Sequence, residues 1–207
     1  MSSTRKPKPT PPVLRSGFSL IELLLPALTR FKRRASQINE LNSARQLMLA
    51  WQTYADDHAG RVLPGYRYGF VATDRLGNPV GHPINARDPW RLAPYLAKNF
   101  EILYVNRNRA LLHEFAQAGN DRYTYAASVF PSLGINSIFV GGDNLALFPS
   151  DRAFERYGRF CIPNVGATRH RAEQIVFTSA RSRFNGAVAE GYYRVEPPFL
   201  GRRLWAE

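Results

Sequence analysis

One carboxylate, Glu22, stands inside the apolar run Phe18 to Leu25. An ionised acid on an apolar helix is costly unless a cation meets it. Basic residues lie on both sides of the run: Arg5, Lys6, Lys8 and Arg15 before it, and Arg30, Lys32, Arg33 and Arg34 after it. The other chemistry-bearing residues are scattered. His58, His82, His113 and His170 form no pair four residues apart, and no H-E-x-x-H motif occurs. There is no G-x-S-x-G elbow, no phosphate loop and no dinucleotide loop. Cys161 has Arg159 nearby, which would lower its pKa, but no base is assigned to it. Asp56-Asp57-His58 closes a helical pattern and offers too few oxygens for calcium. No nucleophile–base pair and no metal set can be assembled, so neither an enzyme, a metal nor a cofactor is expected.

The elements that must position these residues follow from composition and period. The chain has 207 residues, 44% of them hydrophobic, enough for a packed core in one domain. A single cysteine excludes an intramolecular disulfide framework and multi-Cys metal sites. A net charge of +12 favours anionic partners without choosing among them. The basic residues match no nucleic-acid-binding pattern, and the later arginines, Arg169, Arg171, Arg181 and Arg183, are interspersed with acids, so nucleic acid is not the expected partner. Residues 1–17 are a basic, proline-rich leader, 18–34 a short apolar stem with the basic cluster, and 35–207 the globular part. Phe18 to Leu28, taken as a helix, covers roughly 16 Å, about half a bilayer core.

Pro26 is expected to bend or end the first helix, or to kink one that resumes at Ala27. From Ala35 to His58 the period is helical. Ala44, Leu47, Met48, Trp51, Tyr54 and Ala55 form one apolar stripe, with Gly60 as the stop. Strands are expected at 66–72, Tyr123 to Val129, Ser137 to Val140, Gln174 to Ser179 and Ala187 to Val195, and short helices at Trp90 to Leu96 and Arg109 to Ala118. Asp74 to Asp88, with its glycines and prolines, is a loop, and Gly141-Gly142-Asp143-Asn144 is a turn. Helix first and strands later give an α+β class, the helix stripe covering one sheet face.

Arg15-Ser16-Gly17-Phe18-Ser19-Leu20-Ile21-Glu22-Leu23-Leu24 resembles the processing site of type IV prepilins and type II secretion pseudopilins. Further stretches resemble the prepilin-type proteins of Planctomycetes and Verrucomicrobia. They are Leu24-Leu25-Pro26-Ala27-Leu28, Asn42 to Leu47, Tyr54 to Arg61, Trp90 to Leu96, Gly134 to Ser137 and Val140 to Asp143. The resemblance implies a pilin-like fold, with a long N-terminal helix packed on an antiparallel sheet, short helices and long loops. It implies cleavage between Gly17 and Phe18 by a prepilin peptidase, N-methylation of Phe18, and pairing of Glu22 with a neighbouring subunit's terminal amine. The implied partners are the peptidase, other pilin or pseudopilin subunits and the inner-membrane surface, which Arg30, Lys32, Arg33 and Arg34 would touch.

This chain departs from the family by about a dozen residues of its roughly 20-residue apolar span. It also lacks the terminal Asp-Gly-His element of many relatives. The implied function is a non-catalytic subunit of a type II secretion or type IV pilus-type assembly, membrane-associated with a periplasmic or extracellular head if the apolar segment works, and otherwise cytoplasmic. The alternative is a soluble basic module that binds anionic polymer or nucleic acid.

Overall fold

The computed structural model describes residues 20–105, 107–145, 155, 161–168, 171–184 and 187–195. The first element is a helix, α1, Leu20–Asp57. Residues up to Ala35 and residues from Ser36 onward form two units, and α1 contributes to both. The helix does not end at Pro26. The proline lacks an N–H, so the carbonyl of Glu22 loses its donor one turn on, a loss a single exposed turn can tolerate in water. Nearby, the Thr29 hydroxyl donates to the Leu25 carbonyl at 2.8 Å.

Within the second unit the expected stripe is the buried face of α1. Leu47, Trp51, Tyr54 and Ala55 are buried, and Ala44 and Met48 are packed at its margin. Their neighbours in the core come mainly from helices and turns: Trp90, Leu92, Phe100, Leu103, Tyr104 and Tyr123. Trp90 and Phe100 meet at 4.3 Å between ring centres. The helices after α1 are α2 (Asp88–Leu92), continued by a 3₁₀ turn (Ala93–Leu96), then α3 (Arg107–Gln117) and α4 (Asn120–Val129). Two antiparallel pairs of short strands follow. β1 (Leu133–Ile135) pairs with β2 (Phe177–Ser179), Gly134 opposite Thr178. β3 (Arg181–Phe184) pairs with β4 (Ala187–Glu190). The fold is α+β, with two small sheets among the described residues.

Several expectations are corrected. Tyr123 to Val129 is helix, not strand. Its aromatic and β-branched residues suggested a strand. However, Tyr123, Ala126 and Ala127 fall three and four apart and all face the core. The Trp90 indole also donates to the Thr124 carbonyl, and the Tyr104 hydroxyl to that of Ala126. Residues 66–72 form no strand: Gly69 turns the backbone at φ 82° and Val71 points into solvent. Ser137 to Val140 is a turn, with only Val140 bridging to Ile162. The strands expected at Gln174 to Ser179 and Ala187 to Val195 shorten to β2 and β4, and β1 was not expected.

Candidate functional site

The residues expected to be processed, Gly17 and Phe18, lie outside the described residues, as does the Glu22 side chain. Glu22 itself falls in the first turn of α1. Every residue from Leu24 to Ala35 is exposed. Leu24, Leu25 and Leu28 each leave more than half of their surface in solvent, and Phe31 leaves 74%. Leu24, Leu28 and Phe31 are spaced four and three apart, so they share one strip. Burial of these four side chains against a partner would contribute on the order of 5 kcal/mol. Arg30, Lys32, Arg33 and Arg34 follow, all exposed. Five consecutive positions exceed one helical turn, so they ring the helix: Arg30 and Arg34 stack on one side and Lys32 faces the other. Among the described residues, no helix is long and apolar enough to cross a membrane.

The other sequence candidates are kept apart by the fold. His58 directly follows α1, and its Nδ1 lies 2.7 Å from the Tyr54 carbonyl; a carbonyl only accepts, so Nδ1 carries the hydrogen. His82 Nε2 lies 2.8 Å from the Tyr66 hydroxyl. His113 is exposed, 3.9 Å from Glu101. His170 and Arg159 lie outside the described residues. Cys161 is buried, and burial pushes its thiol up to about 11 against a hydrogen bond from the Gly141 backbone, so it is not a ready thiolate. Among the described residues, no group of three or more His, Cys, Asp or Glu side chains gathers as a metal site. Of the later arginines, Arg181 is exposed; Arg169 and the side chains of Arg171 and Arg183 lie outside the described residues.

Sequence reading missed a charged cluster in the heart of the second unit. Arg91, in the first turn after Trp90, is 5% exposed and donates to the carbonyls of Pro64, Gly65, Ala86 and Arg87. Its guanidinium lies 4.6 Å over the Phe70 ring. Burial lowers its pKa to about 10, which Asp88 partly offsets. Asp88 is fully enclosed. Burial raises its carboxyl from 3.8 to about 7, against the pull of Arg91. Asp143, in the expected Gly-Gly-Asp-Asn turn, is also buried. It accepts from the Tyr66 and Leu145 backbone N–H groups and from Arg194 at 3.2 Å.

This cluster ties α2, through Asp88 and Arg91, to segments with little regular structure of their own: 64–66, 86–87, 143–145 and 194. Its chemistry is structural. Arg91 donates to backbone carbonyls and Asp143 accepts from turn amides, as loops without ladder partners require. The only hint in the sequence was charge between apolar neighbours, as in Trp90-Arg91-Leu92. Compared with protein-family models, with curated proteins and with solved structures, the chain matches none.

Proposed function

We propose that this chain is a non-catalytic, pseudopilin-like subunit of a type II secretion or type IV pilus-type assembly, in which residues 18–34 are the docking stem and the second unit is the head. The observation that carries this reading is the bare apolar strip of α1. Leu24, Leu28 and Phe31 are spaced for one partner surface and are exposed among the described residues. The stem begins inside the Gly17-Phe18-Ser19-Leu20-Ile21-Glu22 motif, directly after Gly17.

In this reading, cleavage after Gly17 creates a cationic terminus at Phe18. The Glu22 carboxylate of a neighbouring subunit then meets it, which removes the cost of an acid in an apolar setting. The basic ring Arg30 to Arg34 lies where the stem leaves the apolar zone, and it suits an anionic headgroup surface. The α+β head with its long first helix is compatible with a pilin-like fold. The test is assembly. Cysteine placed at Leu28 should cross-link between copies, or to co-expressed pilin-like subunits, and Phe31→Asp should abolish cross-linking while the head stays folded. Cross-linking unchanged by Phe31→Asp would refute the stem's role.

A second reading, a soluble basic module for anionic polymer, is favoured by the exposure of Arg30, Lys32, Arg33 and Arg34. It predicts salt-dependent retention on heparin or DNA that is lost when these four are neutralised. No retention at low salt would dismiss it.

A further inference from the structure

A recess with about 270 Å³ of space lies between the end of α1 and residues 70–73. Its walls include Tyr54, Phe70, Trp90 and Tyr95, and Lys98 is the exposed cation among its lining residues. Tyr54 and Tyr95 meet edge to face at 5.7 Å, and Phe70 also lines the recess. The His58 ring lies flat on Tyr54 at 3.9 Å and holds it in place. Tyr54 is 5% exposed, yet its hydroxyl takes no hydrogen bond among the described residues. Burial raises the pKa of that hydroxyl against the pull of Arg91 and Arg67, so it stays a neutral donor. Lys98 lines the recess, its ammonium 3.3 Å from the Asp74 carbonyl.

Backbone strain gathers at this place. Among the described residues, the non-glycine residues in the left-handed region are Ala59, Ala97 and Lys98, at φ 54°, 50° and 57°. Ala59 follows His58, and Ala97 and Lys98 follow Tyr95. Such positions persist only where surrounding structure fixes them, and they cluster at ligand sites.

We propose that this recess binds a small aromatic carboxylate, its ring against Tyr54, Tyr95 and Phe70 and its carboxylate on the Tyr54 hydroxyl and the Lys98 ammonium. A single negative charge matches the one hydroxyl and one rim cation. A doubly charged group is disfavoured because Asp57 lies beside the Tyr95 hydroxyl. The site is independent of the stem and of the assembly reading.

The test is titration of the full chain with sodium benzoate, followed by saturation-transfer NMR and by calorimetry. Benzamide and inorganic phosphate serve as the uncharged and the ring-less probes. Benzoate should bind saturably, and Tyr54→Phe and Lys98→Gln should each weaken it about tenfold, the effect of one hydrogen bond to a charged group. Both controls should bind more weakly than benzoate. Absence of saturable benzoate binding in the millimolar range, full affinity retained by either variant, or phosphate or benzamide binding as tightly as benzoate would each overturn the proposal.

Discussion

Asp88→Asn isolates the least comfortable charge in the head. The carboxyl is fully buried, its Oδ1 has no hydrogen-bond partner, and burial raises its pKa from 3.8 to about 7 despite Arg91. The folded chain therefore keeps this proton across a window in which the unfolded chain has released it. Stability from this group is complete below about pH 4 and declines as pH rises through 7. One pKa unit corresponds to about 1.4 kcal/mol, so between pH 5 and 8 the loss attributable to Asp88 is about 2 to 3 kcal/mol. Asparagine keeps the shape and cannot ionise. Urea denaturation at pH 5, 6, 7 and 8 should show the wild type losing that stability relative to Asp88→Asn, with equal m-values. The variant is expected to be the weaker protein at pH 5, or equal to it, to gain ground up to about pH 7 and to level off towards pH 8. Parallel stability curves for the two proteins would refute the assignment of a raised pKa to a desolvated Asp88.

Three further outcomes follow from the same packing. Gly65→Ala should destabilise the head by about 1 to 3 kcal/mol in chemical denaturation. A Cβ there would sit 2.2 Å from the Ser137 Cβ and 3.0 Å from the buried Asp143 carboxylate. Ala59→Gly should raise the stability slightly, by about 0.5 kcal/mol, because relief of the left-handed φ outweighs the added freedom of the unfolded chain; a lowered Tm would contradict this. Cys161 should react with iodoacetamide at pH 8 only after denaturation, since its thiol is buried and pushed up to about 11; rapid alkylation of the native chain, read by intact mass, would contradict that burial.

The sequence carried the helical parts of the fold well where period and burial coincide. The stripe Leu47, Trp51, Tyr54 and Ala55 was legible because one helix face meets one core, and it fixed the end of α1 near His58. The start was less legible. Pro26 is a breaker in isolation, but its missing hydrogen bond falls on an exposed turn and the helix runs on to Leu20. Tyr123 to Val129 shows the limit of local preference: aromatic content pointed to a strand, and tertiary packing of Tyr123, Ala126 and Ala127 decided for helix. The strands were hard to place because they are only three or four residues long. Within the stem, the motif around Glu22 was visible from residue types alone, while the exposure of Leu24, Leu28 and Phe31 needed coordinates. The Tyr54 recess and the Arg91 cluster depend on contacts between residues far apart in the chain, so no window of sequence displays them.

We propose that residues 18–34 form the stem of an assembling subunit, freed by cleavage before Phe18. The most direct measurement is co-expression of the chain with a prepilin peptidase, followed by intact mass and N-terminal sequencing of the membrane and soluble fractions. A chain that begins with N-methylated Phe18 is expected in the membrane fraction. A chain that still begins at Met1, with none in that fraction, would contradict it.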